Sequence, residues 1–194
     1  LHFHSEYEII YIKESTGTRF VGNNKARYEA GDILLIGSNL PHFMKSDEIY
    51  HSGDTDLRVK GTIIQFEKDF MYYAVNNYPH FIKIKNLLHE SQRGIYFNPS
   101  KAQKLQSLLE KIPLENGINQ LLLFLEILEE MSETEHRKTI STTDFVNETI
   151  YDTARIDKVI SFLNKNYTRN VSLEEIASFA AMNTSAFCRY FKSK

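Results

Sequence analysis

Three histidines and a carboxylate near the amino end of the chain are placed to do chemistry. His2-Phe3-His4-Ser5-Glu6-Tyr7-Glu8 has the spacing H-x-H-x-x-x-E, and His42 follows a strand and a turn later. Side chains alternate between the two faces of a strand, so His2, His4 and Glu8 share one face, and a barrel brings His42 beside them. Three imidazoles and one carboxylate suit a divalent transition metal. The same groups can instead hydrogen-bond to one another at a barrel mouth. A second set lies at the far end, where Thr184, Ser185, Cys188, Arg189 and Lys192 fall on one side of a helical pattern. Arg189 can reach a guanine edge with two parallel hydrogen bonds, while Thr184 and Lys192 suit phosphate contacts. Three packed helices without a nucleic-acid role fit the same pattern.

The first set must be positioned by β-structure. Tyr7 to Lys13, Thr18 to Val21, Ala26 to Glu29, Ile33 to Ile36 and Ile63 to Phe66 are short β-branched and aromatic runs broken by turn residues. That spacing predicts a barrel or sandwich. Asn23-Asn24 reads as a hairpin turn and Gly31-Asp32 as the next turn. Lys13, Phe20, Met44 and Ile63 are placed inward by rough alternation, where they can line a pocket for a small molecule or belong to the core or rim. The period turns helical from Asp69, first around Phe70 to Asn76 and then through Phe81, Ile84, Leu87 and Leu88, before a short strand at Gly94 to Phe97.

Ser100 then reads as the N-cap of an amphipathic helix with Leu105, Leu108, Leu109 and Ile112 on one face. Pro113 and Gly117 interrupt it, and a second helix runs from Ile118 to about Met131. This one is apolar over more than one face. A second copy of the chain can cover one side, or both sides can be buried within one chain. The polar stretch that follows reads as a linker. Ile156, Val159, Ile160, Leu163 and Tyr167 recur at helical spacing beyond it. Ser172-Leu173-Glu174-Glu175 is a capping box that opens another helix, Ala180 to Met182 allow only a turn, and Asn183 can cap a last helix. Ala177 supplies a small residue where those two helices cross, and Ile176, Phe187, Tyr190 and Phe191 are placed inward.

Composition narrows the functions. The chain has 194 residues with a net charge of −2, but residues 155–194 hold seven basic and three acidic side chains, so the last forty residues are basic and the rest acidic. An acidic body with a basic terminal module suits a polyanionic partner. One cysteine, Cys188, excludes an internal disulfide and a Cys-rich zinc site. The sequence holds no apolar run of bilayer length and no signal peptide, so a cytoplasmic protein that makes no use of the membrane is expected. Leu1 is not a natural start, and the amino end is expected to be missing.

The terminal residues carry a resemblance. The stretches Arg155 to Tyr167, Val171 to Ala177 and Met182 to Lys192 are similar to the opening of the DNA-binding domain of the AraC/XylS family of transcription regulators. That resemblance implies helix-turn-helix DNA binding in a bacterial protein, with Ser185, Cys188 and Arg189 facing the major groove. It also implies a second helix-turn-helix unit after Lys194. His2 to Glu8 and Gly31 to His42 resemble the two motifs of the cupin superfamily, whose metal site would fall on His2, His4, Glu8 and His42; sensor barrels of AraC type often keep such residues without a metal. Ser91 to Phe97 also resembles this sensor class.

The expected fold is therefore α+β: a cupin-like (jelly-roll) barrel with appended helices over 1–98, dimerisation helices over 99–132, a linker over 133–154 and a partial three-helix DNA-binding module over 155–194. The expected function is that of a homodimeric, DNA-binding regulator, not an enzyme. It would respond to a small-molecule effector such as a sugar or other metabolite, with RNA polymerase as a further partner and no required cofactor apart from a barrel metal. The rival reading is a cupin metalloenzyme, an isomerase or oxygenase, which would leave the terminal helices unexplained. A third is a pure interaction domain with an incidental basic tail.

Overall fold

The computed structural model describes residues 2–52, 56–142, 159, 162, 163, 166 and 169–192. The chain forms two compact units, Leu1–Phe145 and Val146–Lys194. The first is built on two antiparallel sheets with helices on one side. Its strands are β1 (Tyr7–Glu14), β2 (Gly17–Val21), β3 (Asn24–Tyr28), β4 (Ile33–Ile36), β5 (His42–Ser46), β6 (Lys60–Phe66), β7 (Ile95–Phe97) and β8 (Arg137–Thr139). The larger sheet runs in the order β6-β1-β4-β7-β8 and the smaller in the order β3-β2-β5.

The central strands are apolar on both faces because both faces are covered. Ile10, Ile12, Leu34 and Ile36 join Val21 and Tyr28 of the small sheet in one core. Ile9, Tyr11, Ile33, Leu35, Ile95 and Phe97 point the other way, into a core shared with helices. Those helices include α2 (Ile82–Glu90), α3 (Gln103–Lys111) and α4 (Gly117–Glu133), preceded by the short α1 (Tyr72–Asn77). α4 buries Leu123, Phe124, Ile127, Leu128 and Met131. Its opposite side leaves Ile118 and Leu122 more than half exposed.

Three local expectations shift. The first hairpin turns at Gly22-Asn23, one residue earlier than predicted: Val21 pairs with Asn24, and Gly22 takes the left-handed φ of +57° that the tight turn requires. Asn98, rather than Ser100, is the capping side chain before α3. Its Oδ1 accepts from the Ser100 amide at 3.1 Å, and α3 proper starts at Gln103.

The stretch read as a linker also begins as structure. β8 pairs with β7, matching Tyr96 to Lys138, and Ile140 is buried in the core between the sheets. Arg137 fastens this segment: Nη1 donates to the Ser132 and Thr134 carbonyls at 2.8 and 2.9 Å, at the end of α4, and Nε donates to Glu90 at 3.1 Å. Gly94, at φ +66°, lets the chain enter β7 where a Cβ would strike Val21 Cγ1 at 2.7 Å. Residues 143–154 of the expected linker lie outside the described residues.

In the second unit, α5 (Leu173–Phe179) and α6 (Thr184–Lys192) are joined by a short turn. Ser172 caps α5 as expected, accepting from the Glu175 amide at 3.2 Å. The Glu175 carboxylate is held mainly by Arg169, whose Nη1 donates to it at 3.0 Å, and it also feels the Ser172 backbone amide. Asn183 caps α6, accepting from the Ala186 amide at 2.8 Å. Ala181 sits in the left-handed region at φ +54°, and the Met182 amide returns to the Ala177 carbonyl at 2.8 Å, closing α5. The core here is Val159, Ala177, Ala180 and Phe187. Most of the expected preceding helix, including Ile156, Ile160 and Tyr167, is outside the described residues.

Candidate functional site

Glu8 lies on the central strand β1, matched to Ile36 of β4 and Gln65 of β6. Alternation sends its side chain to the face occupied by Ile10 and Ile12, between the sheets. The segment before β1 returns along β5, with mutual backbone hydrogen bonds between His2 and His42. The Asn39 amide donates to the His4 carbonyl at 2.8 Å. These pairings gather His2, His4, Glu8 and His42, with one ligand atom from each lying within 4.8 Å of the others. All four expected metal-ligand residues are therefore brought together. Glu8 and His42 are buried, at 5% and 3% exposure.

The hydrogen bonds define the chemistry of the group. His42 Nδ1 lies 2.8 Å from the Leu40 carbonyl, and His4 Nδ1 lies 3.2 Å from the Glu6 carbonyl. A carbonyl can only accept, so each ring presents an N–H there and turns Nε2 toward Glu8. Both Nε2 atoms meet the same oxygen, Glu8 Oε2, at 2.7 Å from His4 and 3.0 Å from His42. A neutral ring with its proton on Nδ1 has only a lone pair at Nε2, so each contact calls for an added proton or a cation. Backbone carbonyls that fix the far nitrogen are also the usual support of metal-ligating histidines. The donor set fits a divalent metal on these grounds.

The charges respond to one another. Burial alone pushes the Glu8 carboxyl up, but hydrogen bonds from His4 and His42 outweigh it and bring it down to about 2. The hydrogen bond to Glu8 raises His4 against its own burial. Burial lowers His2, helped by repulsion from the His42 and His4 rings.

The expected pocket residues are not gathered in this way. Met44 faces the core between the sheets. Phe20 does not: in β2 the buried positions are Gly17, Arg19 and Val21, so Phe20 lies on the outer face, 6.2 Å from Phe43. Lys13 lies on the helix side and pairs with Glu110 of α3 at 3.4 Å. Ile63 is 64% exposed on β6, the sheet's edge strand, where it lines an open groove with Phe70, Pro113 and Leu121. In β2 the charged residue that does face inward is Arg19. Its signal was the alternation of Gly17, Arg19 and Val21 against Thr18 and Phe20.

In the second unit, α6 buries Phe187 and leaves Ser185, Arg189 and Lys192 exposed, with Thr184 and Cys188 half-buried. Ser185, Arg189 and Lys192 recur at four and three residues and so share one helix face. Phe191, expected inward, is half-exposed although its ring lies 5.5 Å from that of Phe187.

The terminal motif has a counterpart among known proteins, in a sequence similarity to a helix-turn-helix transcriptional regulator. The relative in question is an uncharacterized HTH-type transcriptional regulator, YdeC, of Bacillus subtilis (strain 168). It is 23% identical over 207 residues, spanning 99% of this chain and 64% of its own length. The chain thus spans a little under two thirds of that curated relative. Among solved structures, ToxT from Vibrio cholerae matches 98% of the chain and 68% of its own, with a TM-score of 0.46 and 12% identity. The AraC-like transcriptional activator CuxR matches 97% and 61%, with a TM-score of 0.45 and 6% identity. No family model matches the chain. Among the described residues, no helix is long and apolar enough to cross a membrane.

Proposed function

We propose that this chain is the effector-sensing part and the first DNA-reading half of a cytoplasmic transcription regulator, and that it carries no enzymatic activity of its own. The first unit acts as a cupin-like jelly-roll sensor, and α5 and α6 act as the first helix-turn-helix. The observation that carries this reading is the polar face of α6, Ser185, Arg189 and Lys192, presented by a helix locked through Phe187 behind a capped, tight turn. A helix that reads the major groove needs that division: one side buried in its support and the other bearing short polar and cationic groups. Ser185, Cys188 and Arg189 take the base-reading role, while Thr184 and Lys192 contact phosphate. The exposed apolar side of α4, with Ile118 and Leu122, supports a homodimer through the helices of 99–132. Paired readers then gain effective concentration on paired sites, and contact with RNA polymerase follows on DNA.

The test is DNA binding by the protein to the region upstream of its own gene at several salt concentrations. Sequence-selective binding that weakens with salt is expected, since released counterions supply much of the affinity. Arg189→Ala should weaken it by about 1–3 kcal/mol, the worth of one bidentate base contact. Folded protein that binds no DNA at any salt would overturn the reading.

The His/Glu cluster supports a second element, a divalent metal held by His2, His4, Glu8 and His42. Such an ion would supply Lewis acidity or a structural clamp at the barrel mouth. Metal content after purification, compared with His42→Ala, tests this. Metal that is removable with loss of a turnover would favour the metalloenzyme over the regulator.

A further inference from the structure

Arg19 is the one inward-facing charge of β2, and it is only 7% exposed. Its register partner on β5 is Met44, two residues along from the Val21–His42 pair. The guanidinium thus faces the space between the sheets, on the same side of β5 as His42. Its Nε and Nη1 are buried and have no hydrogen-bond partner among the described residues. The neighbouring carboxylate, Asp32, is engaged elsewhere: Oδ1 accepts from the Tyr96 hydroxyl at 3.0 Å and Oδ2 from the Glu29 amide at 3.1 Å. Tyr96 carries two cations, with Arg19 Cζ 5.6 Å from its ring centre and Lys138 Nζ 5.3 Å away. Two positive side chains therefore converge on one aromatic ring where a single carboxylate is already occupied.

A buried guanidinium without a partner is destabilising unless something of opposite charge completes it. Burial works against the charge of Arg19, and only Asp32 and the Tyr96 phenol favour it. A neutral polyol would fill hydrogen-bonding positions and leave the charge uncompensated. A carboxylate matches both the charge and the planar fork of a guanidinium. We infer that Arg19, assisted by Lys138, is the recognition group for an anionic effector, a small organic acid whose carboxylate meets the buried guanidinium and whose apolar body lies against Tyr96 and Met44. This rests on the reading of the first unit as a sensor and names the chemical class of what it senses. Lys138 lies on β8, so the same anion would touch the segment that leads toward the second unit.

The test uses the chain as it stands, with formate and benzoate as carboxylate probes and benzamide and a neutral pentose as uncharged controls at constant ionic strength. The readouts are the side-chain Nε–H resonance of Arg19, assigned by its loss in Arg19→Lys, and the melting temperature of the first unit. Saturable movement of the resonance by the two carboxylates but not by the controls is expected, with benzoate raising the melting temperature. Arg19→Met should lose the benzoate effect while its ligand-free melting temperature stays level or rises. Where Arg19→Met fails to fold, Arg19→Lys replaces it, with at least a tenfold weaker benzoate response expected. Equal responses to benzamide or pentose would overturn the anionic class and leave the sensor reading intact. Silence from every probe would overturn the anion site, while DNA binding decides the regulator reading separately.

Discussion

The two units are stabilised in contrasting ways. In the first, a five-stranded sheet is buried on both faces, so Ile9 and Ile10, adjacent in sequence, belong to different cores. In the second, the described core is Val159, Ala177, Ala180 and Phe187, with one aromatic ring at its centre. The first unit can therefore hold polar groups such as Glu8 and Arg19 in its interior, because many apolar contacts offset their cost. In the second, the polar side chains of α6 sit on an exposed helix face. The difference teaches where polar groups can be kept: an interior site needs a large apolar surround, whereas a surface site needs only a correctly aimed helix.

Four substitutions or conditions, beyond Arg189→Ala, would break or sharpen that contrast. The largest effect is expected from Phe97→Ala, which empties a fully buried site beneath α3 and α4. It should cost about 3–5 kcal/mol, read as a fall in the urea midpoint of the first unit, with α6 amide exchange unchanged. Phe187→Ala comes next, at about 3 kcal/mol from a smaller core. Hydrogen exchange should then show α5 and α6 losing protection together while β1 and β4 keep theirs. Uniform loss in either variant would mean that the units fold as one.

A smaller, pH-dependent effect is expected of metal-free protein. Glu8 titrates near 2 when folded, below its ordinary value of 4.5, so its contribution is present above about pH 4.5 and lost as pH falls toward 2. His4 is raised above its ordinary value of 6.5, so its contribution is complete below that value and fades as pH rises through the folded one. The first unit should therefore be most stable in mildly acidic solution, and Glu8→Gln should flatten both limbs of its melting-temperature profile. The smallest effect is a gain: Ala181→Gly removes left-handed strain and should stabilise the second unit by about 1 kcal/mol, seen as a small rise in its thermal midpoint.

Much of this was legible from residue types. The alternation around Glu8, the two-faced apolar character of Ile33 to Ile36, the Ser172 and Asn183 caps and the polar face of α6 all follow from local patterns. What escaped depends on non-local pairing. Arg137-Lys138-Thr139 reads as linker because it is polar, and only its match to β7 makes it a strand. Lys13, Phe20 and Ile63 were placed inward without a register; once β2 pairs with β5, Arg19 takes the inner position and Phe20 the outer. β5 itself was missed, although His42, Met44 and Ser46 alternate with Phe43 and Lys45. The imidazole–carboxylate cluster could be listed from spacing, but the carbonyls of Leu40 and Glu6 that fix the ring nitrogens could not.

The clasp made by Arg137 and β8 bears on how the first unit can be recombined with other modules. A cut at Glu133, where polar composition first suggests a boundary, would strip Ile140 from the interior and leave β7 as a bare edge with open amides and carbonyls, an invitation to aggregation. A cut after Thr142 keeps that strand, together with the Asn23 contacts to Ser141 and Thr142. Chimeras that graft this unit onto a foreign module should therefore take the splice beyond Thr142, so that the unit travels with its own closing strand.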